Sequence, residues 1–237
     1  MSSENRLFDD GELTRLPNPV KNWLIKSGAL GKPLIKSAIV TQKADLQMRR
    51  GLNKWLPASA LQYTCISEPS FLWTVDVKMN RFIKFKGRDK FEDGKGEMLI
   101  KLNSLITVVN EKGPKMDEGT IQRYLGEMVW YPSLAVSPFI TWEEIDESSA
   151  GAMMDYKGTI GSGKFFFSPE GDVVKYSALR YNGNRANSKR YEWIMDIYDY
   201  STFDGIKVPS KMEATWRFDD GDWTWLKLYI SDIKYAF

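Results

Sequence analysis

Residues 71–79 have the sequence Phe-Leu-Trp-Thr-Val-Asp-Val-Lys-Met. Large apolar side chains occupy every odd position, and the even positions from Thr74 to Lys78 are polar. Successive side chains of a β-strand point to opposite faces, so this pattern predicts a strand with one buried face and one face in water. Half-buried strands of this kind are typical of antiparallel sheets.

Other stretches of the chain show comparable alternation and are separated by turn sequences. The further predicted strands cover residues 38–48, 60–67, 82–91, 96–109, 159–167, 172–181, 190–200, 211–218 and 223–237. The turn sequences include Asp93-Gly94, Pro169-Glu-Gly171, Asn182-Gly183, Asp204-Gly205 and Asp220-Gly221. Short strands joined by tight turns predict an antiparallel meander.

Two segments have helical spacing instead. A helix is predicted near residues 19–27, with Asn18 as the cap, Pro19 at the first helical position and Gly28 as the stop. A second helix is predicted near residues 117–131, where apolar residues recur every three or four positions; this helix divides two sets of strands.

The predicted fold is mainly β (α+β), a curved antiparallel sheet or half-barrel that wraps around two short helices. No Pro/Ser-rich linker divides the chain, which favours an N-terminal arm (1–15) and a single antiparallel β domain (16–237).

Composition excludes most common catalytic sites. The 237 residues contain no histidine and a single cysteine, Cys65, while 14% of them are aromatic. A Ser/His/Asp or Cys/His pair and a His-ligated metal are therefore impossible, and one cysteine allows no CxxC site. We expect no enzyme activity, no metal and no cofactor. The aromatic side chains must fill a core or line an apolar pocket.

Charge and hydropathy limit the classes of partner. The chain has 33 basic and 31 acidic residues, a net charge of +2, which does not favour a nucleic-acid partner. The first ten residues contain no apolar run, and no stretch is long enough to predict a membrane span. As given, the sequence predicts a cytoplasmic protein, or a cell-envelope protein if an N-terminal segment is missing. The oligomeric state stays open.

Two sequence features resemble known ligand-binding motifs but lack residues or spacing that those motifs require. Residues 158–164, Gly-Thr-Ile-Gly-Ser-Gly-Lys, fit the first part of a phosphate-binding loop, but Phe165 stands where a Ser or Thr is required. The segment that follows has strand character, so we interpret this stretch as a hairpin. The acidic clusters at Glu143-Glu144, Asp196/Asp199 and 219–222 lack EF-hand spacing, and we interpret them as solvated turns.

Asp89 occupies an unexpected position, since it shares a predicted strand face with Phe85, Gly87 and Phe91. A buried carboxylate is unfavourable unless it is paired. Arg180 has a matching position on its own strand. We predict that Asp89 or a neighbour pairs with Arg180 or Arg88 inside the fold; a register shift that places Asp89 outside is the alternative.

Several motifs are spread along the chain: Leu16-Pro-Asn-Pro-Val-Lys-Asn-Trp-Leu24 followed by Gly28 and Gly31-Lys-Pro33, Trp55-Leu-Pro-Ala58 with Gln62-Tyr63, Phe71-Leu-Trp73, Gly87-Arg-Asp89 with Asp93-Gly-Lys-Gly96, Arg123-Tyr-Leu-Gly-Glu127-Met-Val-Trp130-Tyr-Pro-Ser133, Arg180-Tyr181 and Gly205-Ile-Lys-Val-Pro209. Together they resemble a bacterial family of unknown function, and the resemblance covers nearly the whole chain. This resemblance implies no activity.

The order helix, strands, helix, strands is also similar to that of the lipoprotein-carrier group that includes LolA. That likeness implies a curved antiparallel sheet that wraps around helices and shelters acyl chains. A helix-grip fold is the main rival, but it requires a long C-terminal helix, whereas residues 223–237 alternate like a strand.

Our leading functional hypothesis is a binding protein that holds an apolar or lipid-like molecule between the curved sheet and the helix at residues 121–130. The predicted ligand-binding residues are Tyr63, Trp73, Met98, Glu127, Met128 and Trp130. Arg123 and Glu127 are spaced for an i,i+4 ion pair opposite the apolar stripe of that helix. The simplest interpretation is that this pair lies on a solvated polar face of the helix. The interpretation that favours a functional role is that the helix is covered on both sides.

Two other classes of function remain open. The first is a structural or protein-interaction domain whose aromatic side chains only fill its core. The second is a carboxylate-based hydrolase that uses Glu127, Asp89 or the Glu143-Glu144 pair with arginine support. An exposed apolar patch would favour the former, and convergent carboxylates with shifted pKa values would favour the latter.

Overall fold

The computed structural model describes residues 6–237, which contain thirteen strands in one sheet. The strands are β1 Ser37–Leu46, β2 Leu56–Cys65, β3 Ser70–Lys78, β4 Lys84–Glu92, β5 Lys95–Leu102, β6 Ile106–Lys112, β7 Ile140–Asp146, β8 Ser149–Tyr156, β9 Thr159–Phe167, β10 Val173–Tyr181, β11 Arg190–Phe203, β12 Ile206–Phe218 and β13 Gly221–Ala236. Their order in the sheet is β6-β5-β4-β3-β2-β1-β13-β12-β11-β10-β9-β8-β7, and all neighbours are antiparallel. The predicted fold class is confirmed.

The sheet consists of two meanders, β1 to β6 and β7 to β13, which meet where β1 pairs with β13. Tight turns connect several neighbouring strands, as predicted at Asp93-Gly94 and Asp204-Gly205. The predicted strand 96–109 is in fact two strands, β5 and β6, and strands β7 and β8 were not predicted. At the β4–β5 turn, Asp93 and Gly94 both have positive φ, 52° and 72°, the geometry of a two-residue hairpin turn whose twist matches its strands. This turn touches the β8–β9 turn of the other meander, where Thr159 Oγ1 donates to the Gly94 carbonyl at 2.7 Å. The two ends of the curved sheet therefore approach each other.

Two helices precede the sheet. Helix α1 spans Asp10–Leu13 and helix α2 spans Asn18–Lys26, so α2 begins one residue earlier than predicted, with Pro17 at the cap position. Helix α2 buries Val20, Trp23 and Leu24. The segment predicted as an N-terminal arm contributes to the core, because Phe8 is fully buried. Residues 1–5 of that arm lie outside the described part of the chain.

Helix α3 lies between the two ends of the sheet. It spans Pro114–Gly126 and continues into two 3₁₀ turns, Glu127–Trp130 and Pro132–Val136, so the predicted helix at 117–131 is confirmed with a tighter last turn. Strand β5 packs against one side of α3, and β9 and β10 pack against the other. The predicted apolar stripe, from Ile121 to Val129, is fully buried. Among residues 6–237, no helix is both long and apolar enough to cross a bilayer.

Glycines allow the helix and the sheet to approach closely. The ring of Tyr176 on β10 fits between Gly126 of α3 and Gly163 of β9, and it is fully buried. A Cβ at Gly126 would lie 2.6 Å from two ring carbons of Tyr176, and one at Gly163 would overlap the ring and its hydroxyl. The hydroxyl donates to the Gln122 carbonyl at 2.9 Å. Helix α3 and the sheet can therefore pack closely around Tyr176, because neither Gly126 nor Gly163 has a side chain.

Asp172, in the β9–β10 loop, connects helix α2 to the second meander. Lys26 Nζ donates to its Oδ2 and Lys207 Nζ to its Oδ1, both at 2.7 Å. Burial raises the pKa of Asp172, but the hydrogen bonds from Lys207 and Lys26 outweigh this and lower the pKa below its usual value. The ionised carboxylate therefore stabilises the folded state.

Asp172→Asn should lower the free energy of unfolding by about 1 kcal/mol at neutral pH. Because the folded-state pKa lies below the unfolded one, the stabilisation is present above the unfolded pKa and is lost as the pH falls through the folded pKa. Urea unfolding from neutral to acidic pH should show the two proteins converging in acid. Asp93→Asn, which removes an exposed ion pair with Lys157, is the matched control and should have little effect. A pH-independent difference would contradict the assignment.

Candidate functional site

A polar cluster lies on the concave face of the sheet, beneath helix α3. Strand register places Gln62 of β2 opposite Trp73 of β3, and Trp73 opposite Asp89 of β4. Alternation within each strand points these three side chains to the same face as the buried residues Phe71 and Val75. Arg123 of α3 faces this row from the helix.

Arg123 is the centre of the cluster. Its Nη1 donates to Asp89 Oδ2 at 2.6 Å, its Nε to Glu127 Oε1 at 2.7 Å and its Nη2 to Gln62 Oε1 at 3.0 Å. The guanidinium carbon also lies 4.8 Å from the ring centroid of Phe71 and 4.9 Å from that of Trp73, a geometry suited to cation–π attraction. The planar fork of arginine therefore joins one helix and three strands through a single side chain.

The remaining polar atoms extend this network. Gln62 Nε2 donates to Glu127 Oε2 at 2.6 Å and to Thr64 Oγ1 at 3.1 Å, and the hydroxyls of Thr64 and Tyr131 are 3.0 Å apart. Because the amide oxygen of Gln62 accepts from Arg123 and its amide nitrogen donates to Glu127, the amide can adopt only one orientation. Gln62, Thr64 and Tyr131 therefore all have hydrogen-bond partners within the protein.

Burial controls the ionisation of the cluster. Desolvation raises the pKa of Asp89, although the charges of Arg123 and Arg180 oppose this. Desolvation also disfavours the charged form of Arg123, but Glu127 and Asp89 more than offset this effect and raise the pKa of Arg123. The side chains of Asp89 and Arg123 remain 19% and 18% exposed, so solvent reaches this part of the concave face.

Arg180 of β10 approaches the cluster from the second meander and has no polar partner among the described residues. Its guanidinium lies 4.6 Å above the Trp193 ring and against the backbone of α3, where a Cβ on Gly119 would be 3.3 Å from Nη2. Its Nε is buried without a hydrogen bond. Burial lowers the pKa of Arg180 to about 10, and the charge of Arg123 contributes to this decrease.

The ion pairs in the structure differ in part from those predicted. The prediction that Asp89 is paired inside the fold is correct, but its partner is Arg123 and not Arg180 or Arg88. Arg88 points to the outer face and binds Glu97 on β5. The interpretation of the Arg123/Glu127 pair as a solvated face is wrong, because the sheet covers this side of α3 as well.

The predicted ligand residues separate into three groups. Trp73 and Glu127 belong to the cluster, and Met98 lies on the same face, opposite Asp89 in the register. Met128 and Trp130 are core residues, and Trp130 Nε1 donates to the Pro209 carbonyl at 3.1 Å. Tyr63 is on the opposite, outer face and is 50% exposed.

No role was predicted from the sequence for three members of the cluster, Gln62, Thr64 and Tyr131, although Gln62 and Tyr131 belong to motifs of the family resemblance. Gln62 and Thr64 continue the inward-facing positions of Ala58 and Ala60 in β2, so a polar pair on an otherwise apolar strand face was the available signal. Tyr131 follows the predicted helix, and nothing in its local sequence indicates a polar contact. The i,i+4 spacing identified Arg123, but not its role as the centre of a network.

The space predicted for a ligand, between the sheet and residues 121–130, is filled. Ile121, Tyr124, Leu125, Met128 and Val129 have no accessible surface, so no void large enough for a water molecule borders them. A shallow groove of about 570 Å³ lies instead on strands β7 to β11 and includes Glu143, Lys164 and Leu179 in its lining. A second groove of about 380 Å³ near the start of α3 is lined mainly by charged residues.

Two solved structures match this chain at low sequence identity. The LolA superfamily protein NE2245 from Nitrosomonas europaea matches over 92% of this chain and 94% of that chain, with 10% identity and a TM-score of 0.48. A β-barrel-like protein of the domain of unknown function DUF1849 from Brucella abortus matches over 86% of this chain and 99% of that chain, with 11% identity and a TM-score of 0.29. No match was found among curated protein sequences.

A model of a protein family of unknown function matches residues 6–228 of this chain. The matched range includes all of the sequence motifs described above and every residue of the polar cluster. The chain belongs to the family of unknown function DUF6544.

Proposed function

We propose that the protein binds an amphipathic molecule with an acidic head group on the concave face of the sheet, and that Arg180 is the contact for the head group. The observation that carries this proposal is the unpaired guanidinium of Arg180. A partly buried cation without a hydrogen-bond partner is unfavourable, and a carboxylate or phosphate would supply the missing acceptors. The other arginine of the cluster, Arg123, is already saturated by Asp89, Glu127 and Gln62.

The surroundings of Arg180 suit an apolar tail. Trp193 and Trp216 lie 4.6 Å and 6.0 Å from its guanidinium carbon. Further apolar side chains at the same end of the concave face are only partly buried: Met79, Phe85, Trp225 and Leu226. Each methylene buried against such side chains contributes about 0.8 kcal/mol to binding. The ligand would then lie beyond helix α3 and not beneath it, where the core is filled.

The two other classes of function are supported less well. The filled core under α3 agrees with a structural domain, but it leaves the isolated Arg180 unexplained. Asp89 and Glu127 converge as a hydrolase would require, but both carboxylates bind Arg123, and Glu127 also accepts from Gln62. Carboxylates engaged in this way are not free to act as a nucleophile or a general base. We therefore propose binding without catalysis.

Titration of delipidated protein with a fluorescent fatty acid tests the proposal. Arg180→Gln should weaken binding by about tenfold or more, the usual contribution of one charge-assisted hydrogen bond, whereas Arg180→Lys should retain part of the affinity. Arg190→Gln, which removes an exposed arginine bound to Glu118, is the control and should bind like the wild type. A long-chain alcohol should compete equally weakly on the wild type and Arg180→Gln. No binding by the wild type, or equal binding by Arg180→Gln, would refute the proposal.

A further inference from the structure

Three loops of the first meander lie side by side at one edge of the sheet. They connect β1 to β2 (residues 47–55), β3 to β4 (79–83) and β5 to β6 (103–105). Strand direction alternates in an antiparallel sheet, so these loops all emerge at the same edge, which we call the distal edge. Helix α2 lies at the opposite edge, where Lys207 N donates to the Ser27 carbonyl at 2.8 Å.

The loops of the distal edge carry large apolar side chains in water. Phe82 is 78% exposed and Leu105 is 84% exposed. Further exposed apolar residues of the same loops or the adjoining strand are Met48, Leu52, Ile83, Ile106 and Val108. Single exposed apolar residues are common on proteins, but their concentration on three adjacent loops indicates a contact surface.

Hydrogen bonds hold two of these loops in defined conformations. Asn80 Oδ1 accepts from the backbone N of Phe82 and of Ile83, both at 2.9 Å. Asn103 Oδ1 accepts from the backbone N of Lys84 at 2.9 Å, and Asn103 N donates to the Lys84 carbonyl at 2.8 Å. The second and third loops are therefore tied together, and their turns present Phe82 and Leu105 outward.

The three loops of the distal edge carry only basic charged residues, although the acidic β12–β13 turn adjoins them at Arg50. No Asp or Glu occurs in residues 46–56, 77–88 or 98–110. These segments contain the basic residues Arg49, Arg50, Lys54, Lys78, Arg81, Lys84, Lys86, Arg88 and Lys101. Carboxylates from outside the segments bind three of them: Asp220 binds Arg50, Asp76 binds Lys86 and Glu97 binds Arg88. The surface thus combines exposed apolar tips with an excess of positive charge.

We propose that the distal edge docks on the surface of an anionic phospholipid bilayer. Phe82, Leu105 and Ile106 would insert at the level of the head groups, while Arg81, Lys84 and Lys101 bind lipid phosphates. Apolar side chains flanked by Lys and Arg, without acidic residues, are the combination that favours attachment to anionic interfaces. A second copy of this chain does not fit as the occupant, because two basic edges would repel each other.

Sedimentation with lipid vesicles tests this docking independently of ligand binding. The wild type should sediment with vesicles of phosphatidylcholine and phosphatidylglycerol, and much less with phosphatidylcholine alone or in high salt. The double variant Phe82→Ser/Leu105→Ser and the charge variant Arg81→Gln/Lys84→Gln should each reduce the bound fraction at least about fivefold. Inserted apolar side chains and basic residues at the anionic surface both contribute to this kind of attachment.

The control is Ile160→Ser/Leu179→Ser, which removes two exposed apolar residues from the second meander and should not change sedimentation. All of these variants should bind the fluorescent fatty acid like the wild type, so a failure of docking and a failure of ligand binding are distinguishable. Three results would overturn the proposal: no sedimentation of the wild type, equal binding to neutral vesicles, or a dimer in solution that is lost in Phe82→Ser/Leu105→Ser without any vesicle binding.

Discussion

Arg123→Met should lower the free energy of unfolding by about 3–5 kcal/mol, the usual consequence of removing one partner from a buried ion pair. Methionine has a similar length but leaves Asp89 and Glu127 without the cation that both of them bind. It also removes a donor from Gln62, whose amide connects the helix to β2. Urea unfolding followed by circular dichroism measures this change.

The loss of stability should depend on pH. Burial already raises the pKa of Asp89 in the wild type, and loss of the opposing charge of Arg123 raises it further, so ionisation of Asp89 destabilises the fold of the variant as the pH rises. The deficit of Arg123→Met should therefore be largest at neutral pH and smaller at mildly acidic pH. Adding Asp89→Asn and Glu127→Gln to the variant should restore part of the stability at neutral pH.

Arg217→Met is the matched control for this prediction. Arg217 also binds two carboxylates, of Glu192 and Asp222, but on the exposed surface, so its loss should change the free energy of unfolding by less than about 1 kcal/mol. Equal effects of the two substitutions would show that Arg123 does not act as a buried centre.

Gly163→Ala should destabilise the protein by about 2–3 kcal/mol through overpacking. The added methyl group would overlap the ring and hydroxyl of Tyr176, which Gly126 of helix α3 confines from the other side. Any displacement of Tyr176 would also strain its hydrogen bond to the Gln122 carbonyl. Thermal and urea unfolding should both show the loss.

Gly151→Ala is the control for this substitution, because Gly151 lies opposite Lys164 in the neighbouring strand and a Cβ there has no contact closer than 3.7 Å. Its effect should stay within about 0.5 kcal/mol. In the Tyr176→Leu background, the cost of Gly163→Ala should fall by about 1 kcal/mol, since the smaller side chain leaves room for the methyl group. Additive effects of the two changes would argue against the steric explanation.

Local patterns in the sequence contained much of the fold. The alternation at residues 71–79 matches β3, and the Asp93-Gly94 and Asp204-Gly205 pairs lie at the predicted turns. These signals are local, because side-chain alternation and turn geometry depend on neighbouring residues. Strand order was not accessible in the same way. Pairing of β1 with β13 depends on which distant edges meet when the sheet curves.

The candidate site was only partly predictable for the same reason. The position of Asp89 on an apolar strand face correctly indicated a buried, paired carboxylate. Its partner depends on where α3 crosses the sheet, and both Arg123 and Arg180 come within range from different meanders. The sequence also does not predict that the space under α3 is filled. Close packing there depends on the contact of Tyr176 with Gly126 and Gly163, which are distant from it or from each other in sequence.

The pairing of β1 with β13 has a consequence for biosynthesis. Residues Thr41 and Ser231, which share a hydrogen bond across this pair, are 190 positions apart. During translation, one edge of β1 therefore stays unpaired until nearly all later strands have been synthesised. Closing so long a loop is also slow. An unpaired edge is a template for association with other chains. Nascent chains of this protein should thus depend on molecular chaperones until the last strand emerges.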